Sequence, residues 1–217
     1  MAHKITALEP QKRSRDRVNI YLDGVFAFGL AAIKATSLRV GDELSEQDIE
    51  ALKAADQIER AYENALNFLS YRPRSKAELQ RYLSRRRELP DTVVETVLTR
   101  LCKAGLLDDE AFARFWVENR TKFRPRGRRM LVQELRQKGV PPETIEAALA
   151  EYNEDASAWK VAENHARRLA HLPPDIFKRR LSGRLARRGF SYDLIHEIIA
   201  AYASSTHKNF CDKSEDE

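Results

Sequence analysis

The segment 131-LVQELRQKGVPPETIEAALAEY-152 decides the fold, because it returns further along the chain as 181-LSGRLARRGFSYDLIHEIIAAY-202. Leu131, Leu135, Gly139, Val140, Ile145, Leu149 and Tyr152 align with Leu181, Leu185, Gly189, Phe190, Ile195, Ile199 and Tyr202 at one constant offset of 50 residues. Leucines four apart place one apolar stripe on a helix. Gly139 and Gly189 suit the left-handed residue that ends it, and Pro141-Pro142 suit the first turn of the next. A looser copy lies upstream in Leu79, Leu83, Leu89, Val94, Leu98 and Leu101, with Pro90 as its helix start and one residue inserted.

Each copy needs a helix in front of it, and uninterrupted apolar periodicity supplies one over about 58–70, 109–122 and 156–170. In the middle one, Phe112, Phe115 and Trp116 are expected on a single face. The chain is therefore mainly α: three tandem three-helix modules. Repeats of this kind touch chiefly their neighbours, which predicts an elongated, curved helical array with an extended binding surface.

The first forty residues read differently. In RVNIYLDGVFAFGL (17–30), Val18, Ile20 and Leu22 alternate as in a half-buried strand, and Asp23-Gly24 can take the positive φ angles of a two-residue hairpin turn. KITALEP offers a third strand. So small a β extension needs a partner, and the helices are the expected one. At Ser45-Glu-Gln-Asp48 a hydroxyl cap followed by acids marks a helix start, and no Pro or Gly interrupts the chain from there to Ser70. The domain reading is a β extension over 1–44, a long helix with the first module over 45–104, the second module over 105–153, the third over 154–204, and a disordered polar tail over 205–217.

Composition narrows the function classes. The 217 residues carry 38 Lys+Arg against 33 Asp+Glu, and the excess lies in the modules: residues 61–202 hold 27 basic and 19 acidic side chains. A basic middle points to a polyanionic partner. No apolar run reaches the ~18 residues of a membrane span, and the start lacks a secretory apolar stretch. Cys102 and Cys211 are isolated, as in a reducing cytoplasm. No Gly-rich phosphate loop is present, which argues against nucleotide hydrolysis. His165 and His171 lack metal-ligand spacing. Asp108-Asp109-Glu110 is explained by helix-cap and dipole chemistry, and Ser182 has no nucleophile context. Trp116 and Trp159 read as core anchors. The expectation is a binding protein with no catalytic residue, no metal and no cofactor.

The basic residues recur with the repeat. Tyr71-Arg72-Pro73-Arg74-Ser75 matches Phe123-Arg124-Pro125-Arg126-Gly127 at an offset of 52. Arg128, Arg129 and Arg136 follow on the second helix of module two, and Lys178, Arg179, Arg180 and Arg184 on that of module three. The turns after these helices hold Arg85, Arg86 and Arg87, then Lys138, then Arg187 and Arg188. Guanidinium groups pair bidentately with phosphates and carboxylates. The set is expected to form a basic stripe facing a phosphate backbone or a repeating acidic protein surface. The other reading is a solvated face paired locally with Glu134, Glu143 or Glu146. The third helices begin PDTVVET, PPETIEA and SYDLIHE, acidic where a groove-reading helix needs base-contacting side chains, so sequence-specific readout is disfavoured.

ALNFLSYRPRSKAELQRYL (65–83), GLLDDEAFARFWVENRTKFRPRGRRMLVQELRQKGV (105–140) and RRLSGRLARRGFSYDLIHEII (179–199) together resemble the RecX family. VNIYLDGVFAFGL (18–30) is similar to the N-terminal β extension of some members. The resemblance implies tandem three-helix repeats that bind the RecA–single-stranded DNA filament and modulate it, in most cases limiting strand exchange, ATP turnover and co-protease action. It implies no cofactor. Some members bind DNA directly, so single- or double-stranded DNA without sequence specificity is a further partner. The repeat layout favours a monomer.

Overall fold

In the computed structural model the described residues are 2–12, 14–85 and 89–211, with the side chains of residues 15 and 205–211 left aside. The chain divides into two compact units, Met1–Leu107 and Asp108–Glu217. Of the basic residues expected at the binding surface, Arg86 and Arg87 lie outside the described residues, as does the tail from residue 212.

Unit 1 opens with strands β1 (Ala2–Gln11), β2 (Ser14–Leu22) and β3 (Val25–Ala31), a short helix α1 (Ala32–Ala35), and a strand β4 (Glu43–Ser45). The strands form one antiparallel sheet in the order β3-β2-β1-β4. Leu22 pairs with Val25 across a two-residue turn in which Asp23 (φ 50°) and Gly24 (φ 87°) are both left-handed, the twist a hairpin needs. Ile5, Ile20, Leu22, Phe28, Leu30, Ala35 and Leu44 bury the inner face, and Ile49 and Leu52 cover it from the helix that follows. The sheet therefore does pack on helix. Strand β4 and helix α1, at three and four residues, are too short to show a periodic pattern in the sequence.

That helix, α2 (Glu46–Ser70), is one continuous element. Ser45 caps it reciprocally with Asp48: the Ser45 hydroxyl oxygen accepts from Asp48 N–H, and the Asp48 carboxylate accepts from Ser45 N–H. Its second half packs with α3 (Lys76–Ser84) and α4 (Asp91–Lys103) around Ala61, Ala65, Leu79, Leu83, Val94, Val97, Leu98 and Leu101.

Two buried carboxylates on α2 fasten the unit. Asp56 accepts from Arg17 Nη2 and from Ala31 N–H, both at 2.8 Å, and so ties β2 and the end of β3 to the helix. Glu59 accepts from Arg100 Nη1 of α4 at 2.9 Å and meets Lys34 Nζ of α1 at 3.5 Å. Arg100 also lies 3.9 Å from the centre of the Tyr62 ring.

Unit 2 holds two further modules. Module two is α5 (Asp109–Phe123), α6 (Arg128–Gln137) and α7 (Pro142–Leu149), and module three is α8 (Glu154–Leu169), α9 (Pro174–Ala186) and α10 (Tyr192–Cys211). The repeated leucines Leu131, Leu135, Leu181 and Leu185 are fully buried. Gly139 and Gly189, at φ 77° and 81°, end α6 and α9 in the left-handed turn that a side chain would strain. Asp108 caps α5 by accepting from Glu110 and Ala111 N–H, which is the cap role expected of that acidic run.

Two packing expectations change. The buried stripe of α5 is Phe112, Ala113, Trp116 and Val117, and Phe115 lies off it, 42% exposed. At 100° per residue it falls too far from the stripe centre to share it. In module three, Ile198 is fully buried while Ile199, the repeat partner of Leu149, is half-buried.

Candidate polyanion-binding surface

In unit 1 the repeated loop uses its arginines for structure. Arg72 pairs with Glu78 through both terminal nitrogens at 3.2 and 2.9 Å and also donates to the Pro73 carbonyl. Glu78 itself closes the cap of α3 with Ser75. The Arg74 guanidinium lies 4.0 Å over the Phe68 ring, which stacks in turn on Tyr82 at 4.0 Å and an interplanar angle of 2°. Burial, then the charge of Arg72, pushes the Arg74 pKa below its ordinary value. Arg85 is exposed at the end of α3.

Module two fills the same positions with other chemistry. Fifty-two residues on from Arg74, Phe68 and Tyr82 stand Arg126, Arg120 and Glu134. Here Glu134 is the hub. Its carboxylate accepts from Arg120 Nε at 2.6 Å and from Trp116 Nε1 at 2.9 Å, and Arg126 Nε stands 3.6 Å away. Arg120 and Lys138 lie over the Trp116 ring at 4.4 and 5.1 Å. Trp116 is therefore anchored by a hydrogen bond and two cations as well as by packing. Arg128 donates to the Leu149 carbonyl at the end of α7, and its own N–H donates to Glu154 at the start of α8.

The loop of module two also docks on module three. Gly127 N–H donates to the Arg188 carbonyl at 2.8 Å, and Arg188 Nη1 donates to the Pro125 carbonyl at 2.8 Å. The Tyr152 hydroxyl bonds the Arg126 carbonyl. Lys160 on α8 reaches the carbonyls of Thr121 and Lys122 at 3.3 and 3.2 Å. Backbones approach so closely that a Cβ on Gly127 would lie 2.0 Å from the Gly189 carbonyl oxygen.

This docking gathers positive charge around Arg188, with Glu134 3.6 Å from Arg126. Burial first, then Arg184, Arg126 and Arg124, holds the Arg188 pKa below its ordinary value. Nearby His165 is pushed down by burial, then by Arg184, Arg168, Arg187 and Arg188. Repeat correspondence explains part of it: Glu134 of module two is Arg184 in module three, fifty residues on.

Beside this contact, an open groove of about 1330 Å³ is lined by Met130, Val132, Phe190 and Ile195 together with Arg128, Arg129, Arg136 and Glu154. Tyr192 stands 79% exposed at its edge. Lys178, Arg179 and Arg180 are exposed along α9.

Of the arginines read as one set, Arg72, Arg74, Arg126, Arg128 and Arg188 thus carry internal contacts. Arg124, Arg184 and Arg187 join the charge cluster, and Arg129 and Arg136 the groove. The sequence reading missed the exposed aromatics: Tyr71 (84%), Phe123 (66%) and Tyr192 are open to solvent beside arginines or on the groove rim. For Tyr71 and Phe123, adjacency to the Arg-Pro-Arg motif was the available signal.

Comparison with known proteins covers nearly the whole chain. Residues 3–45 match the family model described as the regulatory protein RecX N-terminal domain. Residues 61–101, 108–149 and 153–199 match the first, second and third RecX three-helix domains. The regulatory protein RecX of Bacillus subtilis (strain 168) is 34% identical over 196 residues, covering 88% of this chain and 74% of its own. That of Thermobifida fusca (strain YX) is 40% identical over 147 residues, covering 66% and 79%. A crystal structure of regulatory protein RecX superposes with a TM-score of 0.73 at 32% identity, covering 90% of this chain and 98% of that one. A RecX structure from Lactobacillus salivarius gives 0.60 at 27% identity, covering 68% and 97%. With all four domains matched in order, the chain belongs to the RecX family of regulatory proteins.

Proposed function

We propose that this chain binds the RecA–single-stranded DNA filament in the cytoplasm and restrains its recombinase, ATPase and co-protease activities, acting as a binding protein rather than an enzyme. The observation that carries the reading is the ordered match of all four RecX domains over most of the chain. The surface is compatible with it. A filament presents one surface at regular intervals, and several weak contacts on one chain raise each other's effective concentration. Binding one filament state better than another would shift the filament toward that state by the difference in affinity. Among the described residues no helix is long and apolar enough to cross a membrane.

A second reading, favoured by the cluster of arginines around Arg188, is a sequence-independent DNA-binding protein that competes with RecA for DNA. Binding to labelled single strands with and without RecA and a slowly hydrolysed ATP analogue, over a salt series, separates the two. Filament binding predicts strong preference for the coated strand and a fall in RecA ATPase. Equal or tighter binding to the bare strand supports the competitor. Arg129→Glu with Arg136→Glu is the informative variant, because both side chains rim the groove. Arg126 and Arg128 are poor choices, since their removal would disturb internal bonds.

A further inference from the structure

We propose that the junction of the second and third modules is a site for single-stranded nucleic acid, in which Arg124 and Arg184 hold a phosphate and Phe123 stacks on an unpaired base. The inference rests on the nucleoprotein reading above and names what one part of the surface touches.

Two repeats within this chain surround an equivalent arginine differently. Arg72 and Arg124 occupy equivalent places in Tyr-Arg-Pro-Arg and Phe-Arg-Pro-Arg loops. In module one, Glu78 neutralises Arg72 bidentately and Ser75 caps the following helix. The equivalents in module two are Met130 and Gly127. Arg124 has lost its carboxylate, and α6 has lost its side-chain cap. What replaces them is contact with module three: Gly127 sits against Gly189, and Arg188 reaches back to Pro125. That contact sets Arg188 against the loop that carries Arg124, and Arg184, near the end of α9, lies four residues before Arg188. A folded chain that gathers guanidinium groups around this loop and replaces the acid that paired with its first arginine has made a place for an anion.

Phe123 adds an open aromatic face beside Arg124. It is 66% exposed, directly precedes Arg124, and has Lys122 Nζ 5.4 Å from its ring centre. An aromatic face framed by cations at a phosphate-binding position is the arrangement that stacks bases of a single strand. In a duplex those faces are occupied by neighbouring bases. An acidic protein surface would use the arginines but has no need of an open ring.

The test is fluorescence anisotropy of the full chain with labelled oligothymidylate and with a duplex of equal length, over a salt series. Circular dichroism confirms that each variant is folded. Phe123→Ala is expected to weaken single-strand binding between about five-fold and about 150-fold, the range for one stacked base, with duplex binding and salt slope unchanged. Arg124→Gln is expected to weaken it and lower the magnitude of the log–log salt slope by about 0.7, the value of one phosphate contact on a single strand. Unchanged affinity in both variants overturns the site. Equal losses on single strand and duplex overturn the stacking. Loss confined to the RecA-coated strand, with bare oligonucleotide binding intact, overturns it in favour of a protein contact and leaves the regulatory reading standing. Intact bare-strand effects without filament preference would instead sink that reading and keep the site.

Discussion

Gly127→Ala should unfasten module two from module three. The added Cβ would lie 2.0 Å from Gly189 O, 2.2 Å from Gly189 C and 2.4 Å from Phe190 N. All three are backbone atoms, so no side-chain rotation relieves the contact. The loop must back away, and two hydrogen bonds go with it: Gly127 N–H to the Arg188 carbonyl and Arg188 Nη1 to the Pro125 carbonyl. Overpacking of this kind costs about 1–3 kcal/mol. The two bonds contribute about 1 kcal/mol each, somewhat more for the charged donor. A loss of about 3–5 kcal/mol follows, and at about 3 °C per kcal/mol for a chain of this size the Tm falls by about 10 °C or more. Gly183→Ala is the control. It lies inside α9, and its Cβ would meet only the end of the Arg187 side chain at 3.2 Å. That change should stabilise by about 0.5–1 kcal/mol, since alanine loses less backbone freedom in a helix. Scanning calorimetry reads both. A Gly127→Ala protein melting within 2 °C of the parent would refute the reasoning.

Asp56→Ala should cost about 3–5 kcal/mol in urea denaturation, because it leaves the Arg17 guanidinium buried without its counter-charge; a loss below about 1 kcal/mol would show that the sheet does not depend on this pair. His165 should titrate below its ordinary range by NMR, since burial and four arginines disfavour its charged form. With the folded value depressed, the folded state takes up this proton less readily than the unfolded chain. The residue's effect on stability is therefore nil above the unfolded pKa near 6.5 and becomes a loss as the pH falls below it. Adding oligothymidylate should raise the His165 pKa by screening Arg184 and its neighbours, and a pKa that stays put would place the anion elsewhere.

How much of this the sequence disclosed depends on what kind of information each feature carries. Periodicity is a property of many residues at once, so the three modules, the Asp23-Gly24 hairpin and the Ser45 cap stood out. Leu131 and Leu181 must be apolar wherever the module is used. Phe115 was misread because apolar identity alone does not fix helical angle. Strand β4 is three residues long and depends on β1 for its existence. The arginines were harder for another reason: Arg72 and Arg124 sit in the same motif, and nothing within the motif separates a charge used internally from one left for a partner. The separation lies six residues on, at Glu78 and Met130, and becomes meaningful only once the loop is seen folding back on its helix. Likewise Asp56 and Glu59 look like solvated helix residues until the sheet and α4 close over them.

That contrast between repeats can be turned into an experiment inside one molecule. Met130→Glu restores to module two the acid that module one uses. The position is the third of α6, where a carboxylate is favoured by the helix dipole at up to about 1 kcal/mol. Folding should therefore be little changed, although Met130 borders Gly189 and the new side chain must turn away from it, as Glu78 turns toward Arg72. With Arg124 paired internally, single-strand binding should weaken and the magnitude of its salt slope should drop by about 0.7. Combining Met130→Glu with Arg124→Gln should add almost nothing further, because both remove the same phosphate contact, and coupled residues do not add. If the two changes weaken binding independently, Arg124 is not the group that Met130 leaves free, and the inference from repeat to site fails at that link.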